Sequence, residues 1–266
     1  MAVRVLVRGA GDIASGIALR LHRAGMQVIM TEIECPTTIR RTVAFSDAVV
    51  KRRQKVEDVT AVLADDADKV PDIIEQGYIP VLVDPECTCR YRLSPDAEVD
   101  AILAKRNLGT AITDAPVVIG VGPGFTAKKD CHAVVETMRG HTLGRVFYEG
   151  SALPNTNIPG LIGGFAGERV IRAPGDGVFK STHKIGDMVE VDETVGFVEG
   201  EPMKTTIAGV LRGLIADGVT VKKGMKSGDV DPRGEKGYCD LVSDKALSVA
   251  GGVLEAIMHF KGDIYG

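Results

Sequence analysis

The chain has no basic surplus, no long apolar run and no cysteine grouping with metal-site spacing. Its 32 Lys and Arg face 36 Asp and Glu, a formal charge of −4 with pI near 5.8. That balance argues against nucleic acid as a partner, because nucleic-acid binders are usually basic. The one basic cluster, Lys51-Arg52-Arg53-Gln54-Lys55, reads as a solvated helix face or loop. No apolar stretch approaches the roughly 20 residues that span a bilayer, so no membrane partner is expected. The five cysteines are odd in number and scattered. Met1 to Val7 runs straight into a strand pattern without a signal-like segment, so reduced thiols and a cytoplasmic location are expected.

Two further absences concern chemistry. Cys87 and Cys89 follow Asp84-Pro85-Glu86 at the end of a strand pattern. Such a pair could bind a soft metal or cycle as a dithiol, but metal sites usually need four ligands and no second pair exists. No metal site is expected. No complete set of nucleophile, base and orienting group is visible either, so the catalytic residues stay unassigned.

What is present begins with a repeat. Gly177-Val178 returns as Gly209-Val210, Gly186 as Gly218, Val189 as Val221 and Gly196 as Gly228, always 32 positions on. A fixed offset names the building unit: a short strand, a Gly turn and a second short strand. Two such units interlocked would form an all-β barrel-sandwich hybrid like the biotinyl and lipoyl carriers. Lys204, in Glu201-Pro202-Met203-Lys204-Thr205, tempts comparison with the carrier lysine. It aligns by the repeat with Arg172, however, and the hairpin tip falls nearer Gly200, so no biotin or lipoate is expected there.

The N-terminus reads as βαβ. Val3 to Val7 is a buried parallel strand. It enters Gly9-Ala10-Gly11-Asp12-Ile13-Ala14-Ser15-Gly16, and Ile13, Ile17, Ala18 and Leu21 then recur at helical spacing. Gln27 to Glu32 is the next strand. This is the dinucleotide fingerprint with Ala14 in the third glycine slot. Gly9 permits the tight turn, and Gly11 lets the helix start approach a pyrophosphate. Glu32 ends the second strand, where an acid can hold a ribose diol. Such a turn also persists in domains that bind no dinucleotide.

Further on, Val59 to Leu63, Ile79 to Val83 and Pro116 to Val121 read as strands, and Lys69 to Gln76 and Ala97 to Lys105 as helices. The strand ending at Val121 feeds a second glycine loop, Gly122-Pro123-Gly124. His132 to Met138 favours a strand. Arg139, His141 and Arg145 lie in RGHTLGR, which fits either an anion pocket or a polar turn. Asp229-Val230-Asp231-Pro232-Arg233 fits a metal ligand set or, more simply, a capped turn. Ser243 N-caps a final helix.

Taken together, RGAGDIASG, GVGPGFTA, RGHTLGR, GVLRGLIADG, KKGMKSGDVDPRG and SDKALSVAGGVLEA resemble the YqeB family, named for a selenium-dependent molybdenum hydroxylase system. The N-terminal part is similar, more weakly, to the Rossmann domain of XdhC-type xanthine dehydrogenase accessory proteins, which handle molybdenum cofactor and help supply its terminal sulfur. Cys87 and Cys89 are outside that pattern.

The fold class expected is α/β. A Rossmann-like doubly wound sheet would span 1–168, with a C-terminal helix in 240–266 packing back on it. A biotinyl/lipoyl-like β module would span 169–236. The resemblance implies an accessory protein that matures a molybdenum hydroxylase and contacts its apoenzyme. It would bind an anionic cofactor, either molybdopterin dinucleotide or an NAD(P)-like nucleotide. Candidate cofactor contacts are Gly9, Gly11, Asp12, Ala14, Ser15, Glu32, Gly122 and Gly124; His141, Arg139 and Arg145 are candidates for cofactor contact or proton transfer. The alternative is an NAD(P)-dependent oxidoreductase.

Overall fold

The structure, a computed structural model, describes residues 2–156 and 159–262. Asn157 and Ile158 of the predicted loop, and the last four positions of the predicted C-terminal helix, lie outside them. The chain divides into two compact units, one of 1–36, 44–156 and 242–266, the other of 37–43 and 157–241.

The first unit opens as its pattern predicts. Strand β1 (Arg4–Arg8) leads through Gly9 into helix α1 (Asp12–Arg23), which returns to β2 (Gln27–Glu32). Next come α2 (Asp47–Lys51), β3 (Arg53–Val56), β4 (Val59–Ala64), α3 (Val70–Glu75), β5 (Ile79–Val83) and α4 (Arg90–Leu93). Then come β6 (Ala97–Asp100), β7 (Val117–Val121), β8 (Ala133–Val135) and β9 (Val146–Phe147); helix α5 (Asp244–Lys261) belongs to the same unit. The strands form one nine-stranded sheet in the order β3-β4-β5-β2-β1-β6-β7-β8-β9. Its middle is parallel, while the outer pairs β3–β4 and β8–β9 are antiparallel.

Helix α5 packs on α1. A Cβ at Gly16 would come within 2.7 Å of Ala246 Cβ, so glycine there is a condition of the helix contact. Ser243 caps α5 by accepting from the Ala246 N–H at 3.2 Å, as the sequence suggests.

Two expectations are corrected. Ala97 to Lys105 is not a helix: Ala97–Asp100 is a strand between β1 and β7, followed by irregular chain. The helix-like spacing of Val99, Ile102 and Leu103 loses to pairing on both sides of Ala97–Asp100. The Rossmann-like doubly wound sheet is also set aside. The sheet is mixed, with antiparallel pairs at both edges, and the β6–β7 and β7–β8 connections carry no helix, so the alternation of strand and helix that a doubly wound sheet needs stops at β6.

The second unit is built by the repeat. Its strands are β10 (Val170–Arg172), β11 (Gly177–Ser181), β12 (Met188–Val189), β13 (Thr194–Val198), β14 (Glu201–Lys204), β15 (Gly209–Leu214), β16 (Thr220–Val221) and β17 (Lys226–Asp231). They form two four-stranded antiparallel sheets, β10-β17-β15-β12 and β14-β13-β11-β16. The 32-residue offset maps one order onto the other, and each sheet borrows strands from both copies. Phe179, Val189, Leu211, Leu214 and Val221 meet in the shared core.

This corrects the barrel-sandwich expectation. Among the described residues no ladder joins the two sheets, and each keeps open edge strands, so the module is a pair of small sheets. The β13–β14 hairpin turns at Glu199 and Gly200, both at positive φ. Lys204 lies at the far end of β14, away from that tip.

Candidate functional site

Strands β5, β2, β1, β6, β7 and β8 run parallel, so their carboxyl ends share one rim of the first unit. From β1 the chain crosses to β2 on one side, while β6 to β8 extend on the other. In open sheets ligands bind beyond the carboxyl ends at such a reversal. The glycine loops after β1 and β7 and the Arg139–Arg145 segment after β8 all lie on this rim.

Gly9 has φ +95, and its N–H donates to the Thr31 carbonyl at 2.9 Å. Gly11 is extended at φ −66 and opens α1. The Glu32 carboxylate accepts from the Ala10 N–H at 3.0 Å and the Ile33 N–H at 2.8 Å. Burial pushes its carboxyl up, and these two hydrogen bonds oppose the shift. Ser15 is fully buried: its hydroxyl donates to the Ala10 carbonyl at 3.0 Å and accepts from the Phe45 N–H at 2.7 Å. Ala14 is buried in the core. Gly9, Gly11, Asp12 and Glu32 thus gather at one loop, while Ala14 and Ser15 hold that loop from beneath.

Gly122 and Gly124 stand two strands over, about 10 Å away by sheet spacing. Both have positive φ, 83 and 113. A Cβ at Gly122 would meet Thr137 Oγ1 at 2.9 Å, and one at Gly124 would meet Arg106 Cα at 2.6 Å. These glycines therefore admit neighbouring chain. Arg139 makes a two-pronged pair with Asp244 at the start of α5, both contacts 2.7 Å. His141 and Arg145 are exposed. The segment is tied by Glu136, fully buried, whose carboxylate accepts from the N–H groups of Thr137, Met138 and Leu153 at 2.7, 2.7 and 2.8 Å.

Beneath the rim lies a charged network that sequence reading missed. Arg8, the last residue of β1, is buried and donates to Thr110 Oγ1 at 3.0 Å and to the Pro85 and Leu108 carbonyls at 3.2 and 3.1 Å. It pairs with Asp100 at 3.4 Å. Arg90 pairs with Glu98 at 3.2 Å and also with Asp114. The available signal was the alternation in Ala97-Glu98-Val99-Asp100, which suits a strand.

Cys87 and Cys89 sit on the rim after β5, both buried. Asp84 accepts from the Cys89 N–H at 2.7 Å and from the Thr88 hydroxyl at 3.1 Å. The Cys89 thiol is pushed up by its hydrogen bond to Cys87 and by burial, which keeps it protonated and a poor nucleophile.

In the second unit, Asp229 and Asp231 are occupied by arginines. Asp229 pairs with Arg169 at 2.7 Å and Arg212 at 2.6 Å, and Asp231 with Arg212 at 3.0 Å and Arg233 at 2.6 Å. Among the described residues no cluster of three or more His, Cys, Asp or Glu could hold a metal ion. No described helix is long and apolar enough to cross a membrane.

The chain is 53% identical over 254 residues to a protein of Escherichia coli K12 called "Uncharacterized protein YqeB", a match covering 96% of this chain and 47% of that one. The chain is YqeB-like in sequence. It spans about half the length of that curated relative. No protein-family model matches it.

Solved structures give weak likenesses. A succinylglutamate desuccinylase/aspartoacylase from Rhodobacter sphaeroides is 26% identical over 24% of this chain and 22% of its own, with a TM-score of 0.21. An aspartoacylase family protein from Mesorhizobium loti is 8% identical over 86% and 84%, with a TM-score of 0.26. The ectoine utilization protein EutE from Ruegeria pomeroyi is 11% identical over 86% and 85%, with a TM-score of 0.27. Scores this low carry neither fold nor function to this chain.

Proposed function

We propose that this chain is an accessory protein for maturation of a molybdenum hydroxylase of the selenium-dependent kind. On this reading the rim of the first unit binds an anionic cofactor with a nucleotide-like tail. The observation that carries the reading is the gathering of both glycine loops and Glu32 on one carboxyl rim, at the point where the strand order reverses. The connection to that system comes from the family resemblance of the sequence motifs; the match to YqeB over 96% of this chain supports the family and not the role.

The rim fits a nucleotide tail at several points. Gly9 and Gly11 carry no side chains ahead of the 12-residue α1, whose first residue is Asp12, and a helix start favours negative charge and offers N–H donors. Glu32 is held rigidly by two amides, so a hydroxyl presented to it meets an oriented acceptor. When bound, a molybdopterin would supply the redox chemistry of the hydroxylase; the residues here bind and orient it. The buried Cys89 thiol, held protonated, favours a binding and presenting role over selenium transfer by this thiol.

The test is a deletion in the host. The hydroxylase should remain expressed and folded but inactive, without its labile selenium or sulfur ligand. Activity should return with the wild-type chain and not with Gly11→Val, whose backbone at φ −66 tolerates a side chain. A deletion strain whose hydroxylase keeps full metal, selenium and activity would sink the reading. Unaided turnover of a small substrate with NAD(P) would instead support an oxidoreductase.

A further inference from the structure

Sequence spacing excludes a four-ligand metal site at Cys87 and Cys89, since no second cysteine pair exists. The structure places both in one buried cluster with Leu6, Ile29, Leu82 and Leu93. Cys87 is fully buried, and Cys89 keeps an exposed edge of 9%. The turn that carries them is fixed. Asp84 accepts from the Cys89 N–H at 2.7 Å, the Cys87 N–H donates to the Asp84 carbonyl at 3.0 Å, and Arg90 Nε donates to the Cys87 carbonyl at 2.9 Å. Cys87 itself is left-handed at φ 58, a conformation that non-glycine residues hold only where their surroundings impose it.

The contacts of the two sulfurs suit a positive charge between them. The Cys89 thiol hydrogen-bonds to Cys87, so one proton already lies between the sulfurs. The buried Thr31 hydroxyl also donates to Cys87 Sγ at 3.9 Å, and the Arg90 guanidinium lies within electrostatic reach of Cys87. These donors could stay in place around a metal-bound thiolate, as the outer partners of metal ligands do. Two adjacent thiolates repel one another, and a cation held between them removes that repulsion. Thiolates select soft ions, Cu(I) and zinc among them, but structural zinc takes four ligands. Among the described residues no third His, Cys, Asp or Glu completes a set, which leaves an ion content with two.

We propose that Cys87 and Cys89 together bind one soft monovalent metal ion of the Cu(I) class in linear bis-thiolate coordination. Two S–H protons leave to solvent as two sulfur–metal bonds form, and no electron is transferred. The complex carries one negative charge, next to Arg90. The ion enters past Cys89, the sulfur with the exposed edge. The site stands on the loop after β5 and does not depend on the nucleotide reading of the rim.

Anaerobic titration of the reduced full chain with Cu(I), against bicinchoninate as competing chelator, tests it. Wild type should retain one Cu(I) per chain. Cys87→Ser and Cys89→Ser should each lose it, whereas Cys35→Ser, at the exposed thiol, should keep it. Thr31→Val should weaken binding by roughly tenfold, the lower end for loss of a partner to a metal ligand. X-ray absorption of the loaded wild-type chain should show two sulfur neighbours, a readout that needs no variant to fold. Three or more sulfurs, or nitrogen or oxygen neighbours, would overturn the linear site. So would failure of wild type to hold copper against the chelator, or equal retention by a folded Cys87→Ser.

Discussion

Glu98 should make the first unit less stable as pH rises from about 4.5 to about 7, and Glu98→Gln should remove that dependence. The residue is fully buried on β6. One carboxylate oxygen is 3.2 Å from Arg90, yet neither accepts a well-aligned hydrogen bond from a described residue. Arg90 is shared with Asp114, so its charge is divided between two acids. Burial therefore dominates and lifts the Glu98 carboxyl from its ordinary 4.5 to about 7, against the pull of Arg90.

A carboxyl raised in the folded state binds more protons there than when unfolded. Its contribution is complete below pH 4.5, is lost between there and about pH 7, and stays lost above. At about 1.4 kcal/mol per pH unit, the difference is worth about 3 kcal/mol. The neutral amide of Glu98→Gln avoids the ionisation. The variant should match wild type near pH 4.5 and exceed it by roughly 1–3 kcal/mol at pH 8, since part of the gain is lost with the Arg90 attraction. Urea unfolding at half-unit pH steps, with both proteins followed by circular dichroism, measures this. Glu32, also raised by burial, adds to the slope in both proteins and cancels in the difference. Parallel stability curves across pH 4.5–8 would refute the argument.

Other expectations follow from packing. Val221→Asp places a carboxylate in the core of the second unit, where Val221 is fully buried. An unpaired buried charge costs several kcal/mol, so limited proteolysis should cut residues 159–241 while the first unit survives. Simultaneous loss of both would show a shared folding unit. Gly16→Val should cost roughly 1–3 kcal/mol by overpacking against Ala246 and Val242. Gly251→Ala, which meets only the end of Arg20 at 3.4 Å, should be neutral or gain roughly 0.5–1 kcal/mol from helix preference; thermal melts of the pair test whether the α1–α5 contact demands glycine at position 16.

The sequence by itself determined whatever has a local or periodic signature. The 32-residue repeat marked a strand, Gly turn and strand that occur twice in the second unit, because equal spacing of Gly turns and β-branched residues imposes equal local geometry. The opening strand, glycine turn and helix were legible for the same reason, as was the Ser243 cap. The tertiary structure decided the rest. Ala97–Asp100 became a central strand because Val5 to Arg8 and Val117 to Gly120 offer hydrogen-bonding edges on both sides. Those partners lie tens of residues away and leave no mark on the local pattern. The same insertion buried Glu98 and Asp100, paired them with Arg90 and Arg8, and laid residues 101–110 across both glycine loops. Gly122 and Gly124 suggest phosphate when read along the chain; in the fold, the space beside them belongs to Thr137 and Arg106. Spacing reports which side chains share a face of one element, while the neighbour that fills a glycine's vacant Cβ position is set by chain crossings.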